Sequence, residues 1–138
     1  EVEGQGRPEV TAIRSDLCLM LDDKDDGAKL FTNRLDALVM ELQGSVPALQ
    51  GCRLIPGQPM ATVYAGPGAR YTPHFDCVDG DSGRLLTCIL YLNPFWRSTH
   101  GGQLRVWPFA KDEADLGSLS YEVAPLHGRL VTFLCDSR

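Results

Sequence analysis

One stretch of this chain repeats its apolar residues at helical spacing, and almost everything after it reads as short strands. From Lys29 to Gln43 the apolar positions Leu30, Phe31, Leu35, Leu38, Val39 and Leu42 form a single stripe. Asp26 is expected to cap its start and Gly44 to end it. Beyond Val46 that spacing disappears. Residues 49–65 read as two strands around Pro56-Gly57, a pair suited to a type II turn. Residues 84–92 carry apolar side chains on both faces, as a doubly covered strand does. Further strands are expected at 101–107, in "SYEVAP" and in "GRLVTFLC", the last two around a turn at 126–128. Ahead of the helix, residues 9–21 read as a strand with a polar interruption. Residues 1–8 read as a polar lead-in, and 22–27 and 111–117 as acidic loops. One helix with about seven turn-punctuated strands predicts a mainly β fold, a sandwich or jelly roll with a supporting helix.

At 138 residues, 43% of them hydrophobic, the chain is long enough for one domain with a core and short for two. No apolar run approaches the roughly 20 residues that span a bilayer, and no basic-then-apolar leader opens the chain. It begins at Glu1 and not Met, as a trimmed, processed or partial chain does. The net charge of −5, without a basic run, argues against a nucleic-acid partner. The five cysteines are odd in number and scattered, with no C-x-x-C pair, which speaks against a zinc knuckle or a disulfide framework. A reducing compartment, cytoplasm or nucleus, fits that usage.

The chemistry concentrates in "YTPHFDC" (71–77). On a strand, residues two apart point to the same side, so His74 and Asp76 would project together with Phe75 turned the other way. An imidazole and a carboxylate supply two of the three protein ligands of the 2-His-1-carboxylate triad that holds non-haem Fe(II). The triplet alone is a weak signal, and a histidine and an aspartate at a strand end is the bland alternative.

Four blocks surround it: "MATVYAGPGARYTPHFD", "RLLTCILYLN", "GGQLRVWP" and "PLHGRLVTFLCDSR". In order and spacing they resemble the core of the 2-oxoglutarate-dependent prolyl 4-hydroxylases. The likeness is strongest to the oxygen-sensing enzymes that act on hypoxia-inducible factor and to their protist relatives. With "IRSDLCLML" upstream, the resemblance covers about Ile13 to Arg138. It implies a double-stranded β-helix (jelly roll) in one dioxygenase domain, with residues 9–45 as strand plus supporting helix and 46–138 as jelly-roll core. It also implies Fe(II), 2-oxoglutarate and O2 as reactants, with ascorbate as an accompanying reductant. The reaction implied is hydroxylation of a prolyl residue in a protein partner, with release of succinate and CO2.

Carried over by position, His74 and Asp76 resemble the first two iron ligands. Tyr64 is similar to a tyrosine near the chelating end of 2-oxoglutarate, and Tyr91 to one bonding its distal carboxylate. Met60, Ile89 and Leu104 match apolar residues lining that pocket. Arg14, Asp16 and Arg84 resemble residues on the peptide side. Each has a plainer reading: packing tyrosines, ordinary core, a surface ion pair, a solvent-facing arginine at a strand start.

The family's second iron-binding histidine and its basic partner for 2-oxoglutarate would follow Arg138. His100 and His127 match neither position. The resemblance therefore implies a jelly roll truncated at its C-terminal strands. Two readings compete: a fragment of a longer oxygenase, or an inactive peptide-binding module on a truncated jelly roll. A cupin-like metal protein is a weaker third, disfavoured by the lack of clustered histidines.

Overall fold

The computed structural model describes residues 13–22, 24–77, 83–108 and 119–135. The lead-in, residues 9–12 of the predicted first strand and the 111–117 loop lie outside the described residues. The described part is mainly short strands with one long helix. By internal contacts the chain divides into two compact units, residues 1–74 and 75–138.

In the first unit, strand β1 (Leu17–Met20) pairs antiparallel with β2 (Met60–Val63). The register sets Leu17 opposite Val63, Cys18 opposite Thr62, and Met20 opposite Met60. An isolated bridge, Arg14 to Tyr71, extends the pairing outward, and Ser15 N–H donates to Arg70 O at 3.0 Å. Between the strands runs helix α1 (Asp26–Ser45). Its cap is Asp25, not the expected Asp26: Asp25 has extended backbone angles, and its Oδ1 accepts from Ala28 N at 2.8 Å. Gly44 lies inside the helix. The end comes at Val46, whose N–H closes on Leu42 O at 2.7 Å, because Pro47 holds the preceding residue extended. A 3₁₀ turn at Pro47–Leu49 then folds back on α1 and buries Leu49, which is 1% exposed. Gln43 ties the next segment to the helix by donating to Cys52 O at 2.8 Å.

One predicted strand is absent from this unit. Residues 52–59 carry no strand, and the single strand of the 49–65 region is β2. Pro56 and Pro59 explain this, since each lacks the N–H a ladder needs.

In the second unit, β3 (Leu86–Leu90) pairs antiparallel with β6 (Leu130–Leu134), and β4 (Leu104–Val106) with β5 (Tyr121–Val123). Every residue of β3 is half-buried, as expected for a run that is apolar on both faces. Its register sets Thr87 opposite Phe133 and Ile89 opposite Val131. Backbone bonds carry the ladder past both ends. Cys135 N–H donates to Leu85 O at 2.9 Å, and Tyr91 N–H to Arg129 O at 2.9 Å. The turn before β6 closes at Gly128, whose φ of 76° is unfavourable for a residue with a Cβ. Across β4–β5, Arg105 pairs with Glu122 and lies over Trp107.

Replacing Asp25 by Ala leaves the Ala28 N–H without its side-chain partner. The Asp25→Ala variant is expected to unfold about 1 kcal/mol more easily, read by urea denaturation followed at the helical circular-dichroism band.

Candidate metal centre

His74 is the last residue of the first unit and Asp76 the second residue of the next. Neither lies on a strand: after the bridge at Tyr71, residues 72–75 are irregular and Asp76 sits in a bend. The predicted strand alternation is therefore not what sets this pair. Pro73 lacks the N–H needed to extend pairing beyond Tyr71.

Around His74 the structure assembles a small stack. The Tyr71 ring lies 3.8 Å from the imidazole at 19°, and the Arg14 guanidinium lies 4.7 Å over Tyr71. Arg14 is held from its other side by Asp16, through Nε to Oδ1 at 2.7 Å and a second N–H to Oδ2 at 2.5 Å. That bidentate pair holds the Asp16 carboxyl well below the usual carboxylate range and raises Arg14 further. His74 Nδ1 lies 2.8 Å from Thr72 O. A carbonyl only accepts, so Nδ1 carries the proton and a neutral ring has its lone pair on Nε2. This orients a histidine as metal ligands are oriented.

Strand alternation puts Met60, Thr62 and the following Tyr64 on one side of β2, together with Cys18 and its neighbour Asp16. Partial burial is the main cause pushing the Tyr64 hydroxyl up, with Asp16 adding to it, so the group stays a protonated donor. Met60 and Tyr64 remain open to solvent, at 43% and 47%.

In the second unit the centre is Asp76. The Thr87 hydroxyl donates to its Oδ2 at 2.5 Å, and Arg84 lies 3.5 Å from Oδ1. Thr87, Ile89 and Tyr91 follow one another at every second position, so they share a face of β3 and its extension. The candidate cosubstrate residues Ile89 and Tyr91 thus stand in line with the group that grips Asp76, Tyr91 about 13 Å along the strand from Thr87. Leu104 is half-buried at the start of β4.

Imidazole nitrogen and carboxylate oxygen suit Fe(II). A tautomer-fixed His74 in the first unit and a hydrogen-bonded Asp76 in the second each present a donor of the kind such an ion takes. Among the described residues no group of three His, Cys, Asp or Glu side chains is placed to hold a metal. His100 is engaged elsewhere, its Nδ1 accepting from Arg97 N–H at 3.3 Å. A cleft of about 410 Å³ near the start of α1, lined by Leu21, Ala28, Thr32 and Pro59 among others, contains none of the predicted site residues.

Sequence reasoning missed Tyr71, Thr87 and Cys135. Thr87 had a signal: it is a hydroxyl two and four residues before Ile89 and Tyr91, on the same face.

Residues 59–138, more than half the chain, match the 2OG-Fe(II) oxygenase superfamily. The chain belongs to that superfamily. Fe(II), 2-oxoglutarate and O2 are its reactants, and both His74 and Asp76 lie inside the matched span. Among characterised relatives, Prolyl hydroxylase EGLN3 of Mus musculus is 41% identical over 80 residues, 57% of this chain and 30% of that protein. The Homo sapiens EGLN3 matches to the same extent. Egl nine homolog 1 of Homo sapiens is 33% identical over 132 residues, 91% of this chain and 28% of its own length. The chain thus spans about 30% of the length of the relatives it matches. Among the described residues no helix is long and apolar enough to cross a membrane.

The Arg14–Asp16 pair yields a pH prediction. Its carboxyl is depressed in the folded protein, so its stabilisation is fully present above the unfolded value near pH 4, declines as pH falls below that, and is gone only below the depressed folded value. Asp16→Asn should lower stability by about 1 kcal/mol at pH 7, with the gap narrowed but not closed at pH 3, checked by urea unfolding at both pH values.

Proposed function

We propose that the chain is most of the catalytic domain of an Fe(II)- and 2-oxoglutarate-dependent dioxygenase that hydroxylates a prolyl residue in a protein. The observation that carries this reading is the superfamily match across His74 and Asp76, together with the relatives named Prolyl hydroxylase EGLN3 at 41% identity. The fold proposed with it is a jelly roll spanning 46–138, supported by the strand and helix of 9–45. Free thiols at Cys18, Cys52, Cys88 and Cys135 suit the cytoplasm or nucleus, where we place the protein. Ascorbate is proposed as an accompanying reductant.

In this reading, His74 through Nε2 and Asp76 through a carboxylate oxygen hold the metal. Fe(II) with bound 2-oxoglutarate and O2 supplies the oxidising chemistry, forming succinate and CO2 as the substrate is hydroxylated. The protein's own work is placement. Tyr71 limits rotation of the His74 ring by stacking on it, and Arg14 braces Tyr71 from behind. Tyr91 donates its hydroxyl to the distal carboxylate of 2-oxoglutarate, a charge-assisted bond. Ile89 and Leu104 give the cosubstrate's methylene carbons an apolar wall. Met60 and Tyr64 serve the chelating end. Arg14, Asp16 and Arg84 face the peptide, which is recognised by charge and shape around its proline.

A second reading, an inactive peptide-binding module, rests on the absence of a three-ligand cluster among the described residues. One assay separates the two. In the full-length protein, His74→Ala and Asp76→Ala should abolish succinate formation from 2-oxoglutarate while leaving the circular-dichroism spectrum unchanged. Turnover at the wild-type rate by either variant would remove the metal assignment, and no turnover by the wild type would favour the binding module. Independently, Tyr91→Phe should weaken 2-oxoglutarate binding by about 1–3 kcal/mol in a calorimetric titration.

A further inference from the structure

Asp76 has an unequal environment at its two oxygens. Oδ2 receives the Thr87 hydroxyl at 2.5 Å, whereas Oδ1 meets a cation, the Arg84 guanidinium at 3.5 Å. Thr87 is itself backed by a third group, Cys135, whose Sγ lies 2.9 Å from the same hydroxyl oxygen.

A count of protons gives this contact a direction. An ionised carboxylate only accepts, so the single hydroxyl proton of Thr87 goes to Asp76. The threonine oxygen is then the acceptor for Cys135, and the thiol supplies the proton between them. The chain runs Cys135 S–H to Thr87 O–H to Asp76 Oδ2. Sγ lies 4.0 Å from Oδ2 itself, so the hydroxyl makes the shorter contact with the carboxylate.

Backbone register builds this chain. Thr87 stands opposite Phe133, and Cys135 extends the ladder by one more bonded position against Leu85. Thr87 and Cys135 are therefore diagonal neighbours on one face of the β3–β6 pair. Both are half-buried, which shields the contacts from competing water.

Resting on the reading of Asp76 as a metal ligand, we propose that Thr87, backed by Cys135, is a positioning residue that locks the Asp76 carboxylate by Oδ2 and leaves Oδ1 to face cations. Hydrogen-bond partners of a ligating carboxylate typically contribute 10–100-fold to metal affinity.

The test uses Co2+ added to the full-length protein, with binding followed by its visible d–d absorption. Thr87→Val replaces the hydroxyl by a methyl and should raise the Co2+ Kd by about 10–100-fold and alter the absorption envelope. Thr87→Ser keeps the hydroxyl and should restore both. Cys135→Ser, which still donates to Thr87, should bind as the wild type does, and Cys135→Ala should bind more weakly. Thr87→Ala repeats the experiment without pressing a methyl on the carboxylate, should the valine variant fail to fold. Wild-type affinity and spectrum in Thr87→Val or Thr87→Ala would overturn the proposal. Asp76→Asn tells the two levels apart. If it loses Co2+ while the Thr87 variants do not, only the positioning role falls. If it binds Co2+ as the wild type does, the metal assignment falls with it.

Discussion

The antiparallel register of β3 against β6 is the constraint on which the second unit's chemistry depends. Leu86 opposite Leu134 and Leu90 opposite Leu130 leave Thr87 no choice of side. A slip of one residue would turn Thr87, Ile89 and Tyr91 to the opposite face together, and Asp76 would lose the hydroxyl that grips it. The register is well specified because both faces of β3 are half-buried and its residues are apolar except Thr87. Packing energy thus sets the position of a polar group that itself contributes little to packing.

In the first unit a comparable role falls to a charge pair. Asp16 holds Arg14, Arg14 covers Tyr71, and Tyr71 covers His74. The bridge between Arg14 and Tyr71 brings residues more than fifty positions apart into this stack. A surface ion pair contributes little to stability as a rule, but this one is part-buried, with the Asp16 side chain covered, and it also fixes orientation. Both halves of the candidate metal pair are therefore supported from the residues around them, the histidine by an aromatic stack and the aspartate by a hydroxyl.

The helix was legible because its stripe repeats over four turns, a pattern no strand imitates. Strand β3 was legible for a similar reason, an unbroken apolar run of strand length. The N-cap was off by one residue, because Asp25 and Asp26 can both accept hydrogen bonds and only backbone angles choose between them, and the end was off by two, at Val46 and not Gly44. The strands expected over 52–59 and 71–77 failed at prolines that an apolar count does not weigh, although each was visible in the sequence. Tyr64, Tyr91, Ile89 and Leu104 were reached through family resemblance and not through spacing. Thr87 and Cys135 lie 48 positions apart, so their contact exists only once a register is known.

The β1–β2 ribbon has a consequence for handling the protein. Leu17 and Leu19 are 69% and 64% exposed, and Val63 across from Leu17 is 58% exposed. A two-stranded ribbon with both faces open holds itself together poorly in water. Amide protons of Leu17 to Met20 and Met60 to Val63 should then exchange with solvent early, long before those of the β3–β6 ladder, and this ribbon is where a purified sample would first nucleate aggregates.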